Sequence, residues 1–273
     1  MNDKCFAIPA DKHLIGVLNS TLSEFWCENK LSILRGGYQE FRRVHLREFP
    51  IIPGDTGIPD LVDEMISLIK RRHELNLSLL DYIRPYSDEQ SLAEVGTYQP
   101  PEGVDDTKLT ATKEDYGNIR VGTVTCERED ENTVLTHATA RYKPDDEDAY
   151  ETDQWGYTET EPMPAMRLNN LSETEADLVE AFVPVAVEEA GGFAGFRETA
   201  TKTNSLVDRL EAITLPDPDD VADDLQRYRE AVERAEELDE KIQRTDDLID
   251  EIVYDLYGLT DEEIEIVEEA VGD

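Results

Sequence analysis

Between Lys30 and Phe49 the sequence KLSILRGGYQEFRRVHLREF sets five cations, Lys30, Arg35, Arg42, Arg43 and Arg47, against Glu40 and Glu48, a local net charge of +3. Arginine can bond bidentately to phosphates or to guanine edges. The pair Gly36-Gly37 lets a backbone approach a strand of nucleic acid closely, and Tyr38 and Phe41 can stack on it or support the loop. Arg35, Gly36, Gly37, Tyr38, Arg42 and Arg43 are therefore the candidate DNA-binding residues. The same residues allow a second reading, in which the arginine stems lie over a helix pair and Gly36-Gly37 only ends the first helix.

Other chemistry is sparse. The chain has no nucleophile motif, Walker loop or Rossmann glycine fingerprint. Cys5, Cys27 and Cys126 form no CxxC, and His13, His45, His73 and His137 never fall at ligand spacing, so neither a disulfide framework nor a zinc site is expected. Pro216-Asp217 with Asp239-Glu240-Lys241 loosely matches a Mg²⁺ nuclease pattern. Its second half, however, falls within a heptad helix, and in so acidic a chain such matches arise by chance. The glycines of AGGFAGF, 190–196, follow a helix rather than a strand and read as a helix-helix turn. No Asn/Asp-Pro-Pro-aromatic tetrapeptide occurs, so no amino-methyltransferase centre is expected. Catalytic and metal-binding residues are accordingly expected to be none.

Against this background the net charge of −38 is unevenly spread: residues 1–84 hold 11 Lys+Arg and 12 Asp+Glu, and the remainder holds 15 and 52. Acidic residues scattered over amphipathic segments suit multimolar salt, where repulsion is screened within about 3 Å. They point to a halophilic protein, with a dedicated acidic interaction surface as the rival. No run of about 18 apolar residues and no signal-peptide start is present, so a cytoplasmic protein without a membrane partner is expected.

The elements that must carry the basic segment follow from spacing. Residues 5–8 read as a short strand, and Asp11 as the cap of a helix with Leu14, Ile15, Leu18, Leu22, Phe25 and Trp26 on one face, broken at Gly36. A second helix is expected from Pro59 to about Ile83. The runs KLTATKED, NIRVGTVTCERE and NTVLTHATARYK predict a β-meander, and the acidic stretch from Pro144 to Pro164 a loop. SETE opens a helix that Pro184 should kink or divide. ATKTNSLVDRLEAI predicts another. The last long helix, 219–257, carries Val221, Tyr228, Ala235, Ile242, Ile249 and Leu256 seven apart; Asp239 and Asp246 should turn its seam toward Leu238 and Ile252. At roughly 55–60 Å it should pair with the 59–83 helix. Gly258 ends it, and TDEEIEIVEEAV forms a terminal helix.

The expected fold is α+β and mainly helical, with an antiparallel coiled-coil-like pair of long helices and a small antiparallel β-meander. The expected divisions are 1–58, with the basic Gly-Gly loop; 59–84, a linker helix; 85–168, meander and acidic loop; and 169–273, helical.

Two stretches carry a resemblance. LIGVLNSTLSEFW and ILRGGYQEFRRVHLREFPI resemble, over residues 5–53, the TaqI-like C-terminal specificity domain of adenine-specific DNA methyltransferases and type IIG restriction-modification enzymes. IDEIVYDLYGLTDEEIEIVE, residues 249–268, resembles the ending of many such enzymes, and the acidic middle resembles their halophilic versions. The resemblance implies a target-recognition module whose methyltransferase core is absent from this chain, so that the chain reads as a fragment or a separately encoded specificity polypeptide. It implies double-stranded DNA and a methyltransferase or restriction catalytic domain as partners. S-adenosylmethionine is expected only for that missing domain, and no cofactor in this chain. The rival is an acidic interaction protein or DNA mimic.

Overall fold

A computed structural model describes residues 11–31, 48–54, 56–83, 88–144, 150–189, 194, 196 and 199–272. The expected strand at 5–8, the site residues Arg35 to Arg43 and most of the 190–196 turn lie outside the described residues. The architecture is α+β and mainly helical. The chain forms two compact units, one of residues 1–76 with 231–273 and one of residues 77–230.

In the first unit Asp11 caps α1, Lys12–Leu18, by accepting from the Leu14 N–H at 3.2 Å. Ser20 caps α2, Thr21–Lys30. Helix α3, Ile58–His73, starts after Gly57, whose φ of 76° favours glycine, and ends on Lys70, Arg71, Arg72 and His73 beside the negative end of its dipole. Gly16 of α1 faces Ile58 and Val62 so closely that a Cβ would overlap the Ile58 methyl. The C-terminal part of α7, Pro218–Tyr257, adds Ile249 and Val253 to Val17, Phe49, Ile58 and Val62 in one buried cluster. Nearer its middle, Asp239 accepts from the Arg72 Nε at 2.8 and 2.9 Å. Gly258, φ 69°, ends α7, and a Thr260/Glu263 capping box starts α8, Asp261–Val271.

The expected helix to Ile83 stops at His73 and a short α4, Leu79–Ile83, follows. Asn76 and Ser78 lie in the break, and both are types whose side chains compete for backbone partners.

The second unit is built on an antiparallel sheet in the order β2 (Thr97–Gln99), β6 (Met163–Asn169), β4 (Thr133–Tyr142), β3 (Arg120–Asp130), with β5 (Thr158–Glu159) pairing β4. Two further strands, β1 (Asp88–Ser91) and β7 (Thr214–Pro216), pair separately. Helix α5, Glu173–Glu188, covers β3 and β4 with Leu178, Val179 and Phe182, and α6 is Leu206–Glu211. Arg128 of β3 binds Asp177, at 2.6 Å, and Glu180 of α5, and Arg229 of α7 binds Asp177 as well.

Four local expectations are corrected here. KLTATKED forms a 3-10 turn at Lys108–Thr110, because the Thr107 hydroxyl accepts from Leu109 N–H and the Asp115 carboxylate from Thr112 N–H and Oγ–H. Part of the acidic stretch read as a loop supplies β5 and the start of β6, so the sheet is not a simple meander. Pro184 does not divide α5; it sits late in the helix, where buried Phe182, Val183 and Ala186 hold the last turns. The helix expected at 200–213 begins only at Leu206, after a Ser205/Asp208 capping box, because Asn204 bonds back to Thr199 and Thr201.

One buried charge stands out. Arg209 is 7% exposed, its Nε has no hydrogen-bond partner, and its guanidinium lies 4.7 Å from the Phe196 ring with no carboxylate paired to it among the described residues. Burial pushes its pKa down. A desolvated cation is costly and a similar-volume apolar side chain often stabilises. Arg209→Met is therefore expected to raise stability by about 1–3 kcal/mol in urea unfolding; a loss would show that the guanidinium has a partner after all. Gly16→Ala has the opposite sign. Alanine gains about 1 kcal/mol of helix propensity, but overpacking against the stiff, buried Ile58 costs about 1–3 kcal/mol. A net loss of about 1 kcal/mol should appear in the same assay, and a gain would mean that α1 and α3 do not meet at Gly16.

Candidate nucleic-acid interface

The six sequence-derived site residues lie outside the described residues, but the chain on either side of them is described, and it is tightly fixed. On the N-terminal side α2 ends at Lys30 and buries Leu31. On the C-terminal side Phe49 is buried and meets Trp26 of α2 edge to face, with ring centroids 5.1 Å apart. The next residues are tied through their carbonyls: Tyr257 OH donates to the Pro50 oxygen at 2.6 Å, and a His13 ring nitrogen lies 2.9 Å from the Ile52 oxygen. Leu22, Phe25, Trp26, Phe49, Pro50 and Tyr257 line an apolar recess of about 250 Å³ at this base.

The base is also joined to the end of the chain. The Asp250 carboxylate of α7 accepts from the Thr21 N–H at 2.9 Å and from the Thr21 hydroxyl at 2.5 Å. It thereby satisfies one of the free donors at the start of α2, where the helix dipole favours a negative charge.

The nuclease-like pattern resolves into structural roles. Asp217 accepts from the Asp219 N–H at the start of α7. Asp239 is held by Arg72, Glu240 pairs with Arg244, and Lys241 with Glu237. A polar cavity of about 490 Å³ beside Asp217 and Asp219 includes Ser172 and Glu175, which already serve the capping box of α5. Among the described residues no group of three His, Cys, Asp or Glu is placed to hold a metal ion, and no helix is long and apolar enough to cross a membrane. Cys126, half-buried on β3, has its thiol pushed up to about 12 by burial, which makes it a poor nucleophile.

A second basic and aromatic locus escaped the sequence reading. In the sheet unit Arg120 and Arg141 lie with their guanidinium carbons 4.7 and 5.5 Å from the Tyr157 ring centroid, and the Lys143 ammonium lies 5.0 Å from it. Arg141 is neutralised by Asp153 and, at 3.9 Å, by Glu159. Arg120 and Lys143 have no ion pair among the described residues. On the sequence these cations are spread over two strands with carboxylates between them; only strand register and a turn bring them together. The signal that could have found them is the alternation in ARYK, which puts Arg141 and Lys143 on one face of a strand.

Comparison with protein-family models, with curated proteins and with solved structures finds no match.

The Asp250 link makes a direct test of how the base is held. Asp250→Ala removes a charged acceptor with two hydrogen bonds to a half-buried threonine and should destabilise the first unit by about 1.5–3 kcal/mol. The loss should be read in urea unfolding followed at Trp26, and Asp250→Asn should recover part of it. A variant as stable as the parent would show that core burial alone sets the position of α2.

Proposed function

We propose that this chain is a DNA target-recognition module of a restriction-modification system, serving an adenine-specific methyltransferase or a type IIG enzyme whose catalytic core lies outside this chain. The supporting observation is that the two stretches carrying the resemblance meet. Residues 21, 26, 49 and 50 of the first stretch are joined to residues 250 and 257 of the second through the Thr21–Asp250 and Pro50–Tyr257 hydrogen bonds and a shared apolar cluster. Stretches so far apart would belong to one specificity domain if its first and last parts fold together.

In this reading the activity is binding. Arg35, Arg42 and Arg43 fix register on phosphates, Gly36-Gly37 lets the backbone approach, and Tyr38 packs against the strand. A separate catalytic domain, using S-adenosylmethionine, flips and methylates the adenine. Helices α3 and α7 act as an antiparallel coiled-coil-like support: Ile58 and Val62 share a cluster with Ile249 and Val253, and Arg72 binds Asp239 further along. The acidic surface suits a halophilic cytoplasm, where counterion release adds little and direct contacts must supply affinity.

The test is duplex binding by the purified chain in multimolar KCl. Arg35→Glu, Arg42→Glu and Arg43→Glu together should lower affinity at least about 100-fold, as expected for losing several phosphate contacts. Binding unchanged by the reversal removes the segment from the interface. Absence of duplex binding by the parent chain, with capture of a DNA-binding enzyme instead, would favour the acidic-mimic alternative.

A further inference from the structure

The convergence on Tyr157 is built in a way that folding alone does not explain. Arg120 of β3 and Arg141 of β4 are direct cross-strand partners, a like-charge placement that disfavours the sheet. Lys143, the first residue past β4, brings its ammonium to the same ring, and Asp145, Asp146, Glu147 and Asp148 follow Pro144 in sequence. Across β4 from Arg141 stands Glu159, so the middle cation is paired with carboxylates, whereas Arg120 and Lys143 form no ion pair among the described residues.

The aromatic part is equally fixed. The Asp153 carboxylate accepts from the N–H groups of both Trp155 and Tyr157 at 2.9 Å, while Gly156 N–H closes the turn on the Asp153 carbonyl. Gly156 takes a φ of 75°, which favours glycine. The Tyr157 N–H foremost, with Trp155 N–H, Arg141 and Arg120 adding to it, holds the Asp153 carboxyl below its ordinary range. The turn therefore remains charged and intact through neutral pH. It places Tyr157 among the cations and leaves Trp155 63% exposed at its tip.

We propose that Arg120, Lys143 and Trp155 form a second DNA contact in the sheet unit, with the two cations, unpaired among the described residues, on backbone phosphates and the indole against the adjoining sugar. Both cations lie within about 5 Å of one ring. They are thus at most about 10 Å apart, a span of one or two consecutive phosphates along a strand. Tyr157 keeps them extended by cation–π contact rather than folded onto neighbouring carboxylates. The proposal takes its ligand from the DNA-recognition reading but does not use the Arg35–Arg43 segment.

The experiment labels the full chain with 5-fluorotryptophan, assigns the Trp155 ¹⁹F resonance with Trp155→Phe, and titrates a 20-base-pair duplex at several KCl concentrations. The Trp155 resonance should shift on binding. Arg120→Gln with Lys143→Gln should weaken binding at least about 10-fold and lower the slope of log affinity against log salt by about 2. Arg120→Lys with Lys143→Arg should restore it, which a misfolded variant would not do. A Trp155 resonance unmoved at saturating duplex, or glutamine variants that bind like the parent, overturns the proposal. If those variants bind normally while reversal at Arg35, Arg42 and Arg43 abolishes binding, this proposal falls and the functional reading stands. The reverse pattern removes the Arg35–Arg43 segment and keeps this contact, and a parent chain that binds no duplex overturns both.

Discussion

The first unit depends on one carboxylate. Asp250 offers both oxygens to Thr21, a residue 229 positions away, and so fixes the start of α2 on the last third of α7. A helix start has four N–H groups without an internal partner. Ser20 satisfies one locally and Asp250 another from a distance, so the capping requirement of α2 also determines where α2 lies. Bringing such distant segments together costs less than their separation suggests, since each doubling of a loop adds only about 0.6 kcal/mol. Burial of Val17, Phe49, Ile58, Val62, Ile249 and Val253 is of a size to offset that.

The same economy of charge runs through the second unit. Arg128 and Arg229 share Asp177, so a strand, the helix over it and the first part of α7 are joined at one carboxylate. Beneath this pairing the central strand β4 buries Val134, Ala138, Ala140 and Tyr142. That explains why THATARY tolerates so little charge in a chain where one residue in three is charged. Arg141 is the exception in that strand, and it is compensated at once by Asp153 and Glu159.

What the sequence made legible was helical. The long helix was marked by its period and by Gly258, and the passage of the seam to Leu238 at Asp239 follows from those residues directly; Leu238 is 1% exposed. The terminal helix was announced by Thr260 and Glu263. What stayed illegible was local side-chain competition. Thr107, Thr112, Asn204 and Ser205 all bond to nearby backbone or to their cap partners, and those bonds outweigh the propensities that suggested a strand at 108–115 and a longer helix at 200–213. Register was equally hidden: nothing in the run around Trp155 and Tyr157 shows that it returns to β4 beside Arg141.

The cations show why register matters for function as well as fold. Among the described residues, Arg72, Arg128, Arg141, Arg167, Arg227, Arg229, Arg234 and Arg244 all pair with carboxylates. With 64 acidic residues against 26 basic ones, a neighbouring carboxylate is the ordinary fate of an arginine here. Arg120 has no ion pair among the described residues, and its direct cross-strand neighbour is another arginine. Because added salt shortens the reach of charge to a few ångströms, carboxylates farther away than that neither repel an approaching phosphate strongly nor neutralise a cation. Contact geometry then decides what binds. A guanidinium and an ammonium kept over one tyrosine ring, beside an exposed indole on a fixed turn, constitute such a geometry.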